Sequence, residues 1–65
     1  MISSKIKEIM DEKGVTFQVL QDRTGLSSVT VNRARGPQIL QCRLETLATI
    51  AAALGVRVKD LFEEG

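Results

Sequence analysis

The chain has no histidine, tryptophan or tyrosine, and holds a single cysteine and a single proline. Each scarcity removes a class of protein. A lone thiol, Cys42, leaves no internal disulfide to form. With no histidine beside that thiol, the donor set of a structural zinc site is missing, so side-chain packing must hold the fold. Two Phe are the only aromatics, which makes the expected core aliphatic. The longest apolar stretch, Thr49 to Gly55, is too short for a membrane span or for the core of a signal peptide. A soluble, cytoplasmic protein is expected, with no membrane partner. The same absences, together with the lack of a phosphate-cradling glycine loop, leave nothing on which to build catalysis. Neither an enzyme nor a cofactor nor a small-molecule substrate is expected.

What is present is small and unevenly charged. Sixty-five residues suffice for one domain, 1–65, with one core. The net charge of +1 hides a strong asymmetry. Residues 1–22 carry three Lys against four acids, and residues 44–65 carry two bases against four acids. Between them, from Arg23 to Arg43, stand four arginines and no Asp or Glu. A phosphate-facing surface needs that sign, whereas most solvated faces mix both.

Apolar periodicity predicts helices throughout and no strands. Ile2, Ile6, Ile9 and Met10 repeat at helical spacing, with Ser3 and Ser4 as candidate caps and Gly14 as the stop. Thr16 caps a second helix in which Val19 and Leu20 face inward and which ends at Gly25. Ser27 caps a third, with Leu26, Val31 and Ala34 on its buried face. Gly36-Pro37 breaks the chain, and an irregular connection over 36–42 is expected. Leu44, Leu47, Ile50, Ala51 and Leu54 mark a fourth helix with no good cap at its start, closed by Gly55. A fifth, over about 58–63, contributes Val58, Leu61 and Phe62. The fold class is all-α, five short helices around one core.

The second and third helices, joined at a glycine suited to positive φ, have the shape of a helix-turn-helix whose second member can enter the DNA major groove. The chain resembles the phage-repressor/Cro-type (XRE-like) helix-turn-helix family over about residues 5–63. The resemblance rests on Gly14-Val15-Thr16, Arg23-Thr24-Gly25-Leu26-Ser27, Leu44-Glu45-Thr46-Leu47 with Ile50-Ala51, and Ala53-Leu54-Gly55-Val56 with Asp60-Leu61-Phe62. It implies a lambda-repressor-like fold and a prokaryotic or phage-encoded regulator of transcription that binds double-stranded DNA. Repression by operator occupancy is its expected mode.

In such domains the N-terminal and outward residues of the third helix meet base edges, which here are Ser27, Ser28, Val29, Asn32 and Arg33. Asn32 matches the donor–acceptor edge of adenine, and Arg33 the two acceptors of guanine. A solvated helix face is the bland alternative for that pair. Val29 fits either a thymine methyl or packing at the helix start. Phosphate contacts are expected from Thr16, Phe17, Gln18, Thr30, Arg35, Gln38 and Arg43, with plain surface roles nearly as open to Gln38 and Gln41. Cys42 reads as a small half-buried residue. Leu61 and Phe62 are core residues or, with Val56 and Val58, a homodimer patch.

The chain departs from the family pattern in three places. Phe17 stands where relatives carry a phosphate-clamping glutamine, leaving backbone N–H groups and neighbouring Gln18 to serve. Phe17 is then free to pack on the domain or to join a protein interface. Gln21 replaces a small residue packed against the third helix, and the connection at Ala34-Arg35-Gly36 is shorter. Phe17 supports a rival reading, a protein-interaction module or an antitoxin-like, partner-regulated binder on the same fold. The acid-free stretch opposes it.

Overall fold

In the computed structural model, which describes residues 1–65, four α-helices supply all but two of the buried residues. They are α1 (Ile6–Lys13), α2 (Phe17–Thr24), α3 (Ser28–Arg35) and α4 (Leu44–Leu54). The core gathers Ile6 and Met10 from α1, Leu20 from α2, Val31 and Ala34 from α3, and Leu47, Ile50, Ala51 and Leu54 from α4. Ile6, Leu20, Val31, Ile50 and Leu61 are fully buried, and each such side chain contributes about 1.5–3 kcal/mol relative to exposure. No polar or charged residue is buried with them. The helical fold expected from periodicity is the one observed, with the second and third helices placed as the resemblance implies.

Three details differ from the pattern reading. The connection after α3 is a 3₁₀ helix over Pro37–Gln41, not an irregular strand of chain. Proline at its start costs no hydrogen bond, and Ile39 drops into the core. One buried residue in a single tight turn leaves no periodic trace. The expected fifth helix is one 3₁₀ turn, Val58–Leu61. Asp60 folds back to accept the Arg57 backbone N–H at 3.1 Å, and at Phe62 the chain is already extended.

That extension is the third difference. Residues Ile2–Ser4 form strand β1 and Phe62–Glu64 form strand β2, paired antiparallel with Ile2 opposite Glu64 and Ser4 opposite Phe62. Ser3 therefore caps nothing. Ser4, although in the strand, accepts the Ile6 N–H at 3.3 Å while donating to the Ala34 carbonyl at 2.6 Å, so it tethers α1 to the end of α3. A Lys5–Glu63 pair at 3.6 Å crosses the same seam. Both its side chains are exposed, and such pairs contribute little.

Candidate nucleic-acid interface

Local chemistry fixes the angle between α2 and α3. Thr16 caps α2 by accepting the Val19 N–H at 3.2 Å. At the other end Gly25 takes φ 71, a left-handed conformation that a side chain would strain, and its N–H returns to the Gln21 carbonyl at 2.8 Å. Thr24 adds a second tie, its hydroxyl donating to the Leu20 carbonyl and accepting the Leu26 N–H. Leu26 packs against the core, and Ser27 opens α3 by accepting the Thr30 N–H at 3.2 Å. Loss of such a cap typically costs about 1 kcal/mol.

With Val31 and Ala34 buried, α3 turns Ser28, Val29, Asn32 and Arg33 to solvent. Ser28 and Asn32 are one turn apart, as are Val29 and Arg33, so the four side chains form one compact patch. Val29 is 62% exposed, which removes the option that it packs at the helix start. Beside the patch runs a polar groove of about 260 Å³, lined by Thr30 and Arg33 from α3, Gln41, Cys42 and Arg43 from the connection, and Glu45 and Thr46 from α4. No side chain caps α4 at Arg43. The positive end of its dipole thus opens beside two arginines, with Glu45 as the one acid on the groove.

The chain matches the family described as Cro/C1-type HTH DNA-binding domain over residues 5–63. This protein belongs to the Cro/C1-type helix-turn-helix family. Comparison with curated proteins and with solved structures gave no match. Membership makes the domain a DNA-binding one, with double-stranded DNA as its partner. No helix is long and apolar enough to cross a membrane.

Within this Cro/C1-type frame the residues expected at DNA separate into groups. Ser28, Val29, Asn32 and Arg33 share the outward patch, and Thr30, Arg33 and Arg43 share the groove. Ser27 is exposed, but its hydroxyl is engaged with the Thr30 N–H and, at 2.9 Å, with the Thr30 hydroxyl. Gln18 donates to Asp22 at 3.1 Å, which occupies part of the amide offered as a substitute clamp. Gln38 is exposed on the 3₁₀ turn and does not line the groove.

The arginines do not act as one block. Arg23 turns to the far end of α4, donating to the Ala53 carbonyl at 3.4 Å. Arg35 lies across the ring of Phe17. Glu45 and Thr46, not expected at DNA from the sequence, belong to the groove because α4 begins there. Burial pushes the Cys42 thiol above its ordinary value, and the nearby Arg33 guanidinium offsets part of that rise. Cys42 therefore stays protonated near neutrality and lacks the thiolate character of a redox centre.

Of the four residues considered for a dimer patch, Leu61 is 0% exposed and belongs to this domain's own core. Val56, Val58 and Phe62 pack against that core but keep part of their surface.

Proposed function

We propose that this domain is a sequence-specific transcriptional regulator that lays α3 in the major groove of its operator and represses by occupying it. The observation that carries the reading is the single outward patch of Ser28, Val29, Asn32 and Arg33 with the Arg33–Arg43 groove at its side. Asn32 and Arg33 have the geometry to read adenine and guanine edges, while Arg43 and Thr30 hold the backbone that frames them. A module of this size buries roughly 600–1,000 Å² on DNA. Selective binding by one copy is correspondingly modest, so two copies act on a two-fold site, with half-sites about one helical turn apart. Val56, Val58 and Phe62 supply the contact between copies.

The test is a selection from random duplexes followed by titration across salt concentrations. A defined motif should emerge, and affinity should fall steeply with salt, each neutralised phosphate adding about −0.9 to the log–log slope. No motif and no binding at low salt would support the interaction-module reading instead. That reading draws on Leu40, 70% exposed on an apolar groove, and on Leu44, 71% exposed at the start of α4.

A further inference from the structure

Phe17 occupies the first position of α2 and Arg35 the last position of α3, so they stand at opposite ends of the helix-turn-helix in sequence. In space they meet. The Arg35 guanidinium carbon sits 5.2 Å from the centroid of the Phe17 ring. Both side chains are half-buried. Arg35 Nε is shielded from water and has no hydrogen-bond partner, while the two Nη groups have no partner either but remain open to solvent. No carboxylate neutralises the cation, since the only side-chain ion pair is Lys5–Glu63.

A cation in that position would ordinarily swing out into water. The ring face, negative by its quadrupole, attracts it there instead. A guanidinium held on a ring face keeps its planar fork of donors, which suits a phosphate's paired oxygens. Lysine, a point charge on a flexible stem, would gain less from the ring.

We propose that Phe17 and Arg35 form a composite phosphate clamp, in which Arg35 makes the contact to the DNA backbone and Phe17 is a positioning residue acting through it. The inference rests on the DNA-binding reading above and adds to it a division of labour between the two helices.

The experiment measures affinity for one random-sequence duplex over a salt series, using the full chain and the variants Arg35→Ala, Arg35→Lys, Phe17→Leu, Phe17→Tyr and Phe17→Leu/Arg35→Ala. Thermal unfolding of each variant is recorded alongside. Arg35→Ala should lower the magnitude of the log–log salt slope by about 0.9, one phosphate's share. Phe17→Leu should weaken binding roughly two- to fivefold, as expected for loss of a cation–π contact, and Phe17→Tyr should recover most of that loss. In the double variant, Phe17→Leu should add nothing to Arg35→Ala. In Arg35→Lys, the slope should persist at lower affinity.

An unchanged slope in Arg35→Ala while the unmodified chain binds would overturn the clamp and leave the DNA reading standing. Equal weakening by Phe17→Leu with and without Arg35 would overturn the positioning role, showing that Phe17 acts on the fold. Failure of the unmodified chain to bind at low salt would overturn the DNA reading and the clamp with it.

Discussion

On one side of Cys42 lies the groove of about 260 Å³ that Arg33, Arg43 and Thr30 line; on the other lies a groove of about 170 Å³ whose walls, Ile2, Ile39, Leu40, Leu47 and Phe62, are wholly hydrophobic. The same short connection builds both. Gln41 and Arg43 turn toward α3 and the start of α4, while Ile39 and Leu40 turn toward the strands. A 3₁₀ turn distributes successive side chains around a tight axis, so the short stretch from Ile39 to Arg43 serves two surfaces of opposite character. The polar groove can stabilise an anion, and its interactions weaken as salt rises. The apolar one offers an anion nothing and gains only from removal of water. One small domain thereby carries a polar face and an apolar face that respond to opposite conditions.

The largest expected effects fall on the polar side. Arg33→Ala and Asn32→Ala should each relax sequence preference by about 1–3 kcal/mol at the base they read, roughly five- to hundredfold in relative affinity. Arg43→Ala should instead weaken every sequence alike and reduce the salt slope by about 0.9. All three side chains are exposed, so thermal stability should hardly move. Binding to a panel of single-base operator variants separates the two patterns. An unchanged preference in both α3 variants would remove base reading from this face.

How much of this was legible in the sequence depends on the range over which each feature is determined. Thr16, Gly25 and Ser27 act within one turn of themselves, and all three do in the structure what their types and positions announce. The outward patch follows from the same short-range logic, because burying Val31 and Ala34 obliges Ser28, Val29, Asn32 and Arg33 to face out. The strands were hidden for the opposite reason. Ile2–Ser4 and Phe62–Glu64 lie at opposite ends of the chain and have no alternation long enough to register, so their pairing exists only once the helices bring them together. The directions of Arg23 and Arg35 were not legible either, since composition records charge but not direction. One is drawn to the carbonyls at the end of α4 and the other to an aromatic ring from α2.

A smaller effect should separate assembly from DNA contact. Val58→Asp places an acid in the first turn of the last 3₁₀ segment, away from α3. It should leave affinity for a single half-site near that of the unmodified chain and reduce the loading of a second copy on a two-fold site several-fold. Sedimentation with and without a palindromic duplex reads this directly. A 1:1 complex at saturation for the unmodified chain, without two-step binding, would exclude the dimer.

The smallest effect belongs to Cys42 itself, which borders both grooves. Burial disfavours its thiolate and raises the thiol's pKa, while Arg33 from the polar groove pulls it part of the way back. A thiol whose pKa is higher in the folded chain than in the unfolded one favours folding below the unfolded value, and that contribution is lost as pH rises through the folded value. Unfolding free energy should therefore decline above the ordinary thiol range, and Cys42→Ala should lack that part of the decline. Arg33→Ala removes the opposing charge, so the thiol should be pushed still higher and react more slowly with iodoacetamide at a fixed pH near 8. An operator duplex filling the polar groove should slow the reaction further by covering that side of the sulfur. Equal alkylation rates in the unmodified chain and Arg33→Ala would separate Cys42 electrostatically from the DNA face, leaving it a boundary residue of the apolar groove alone.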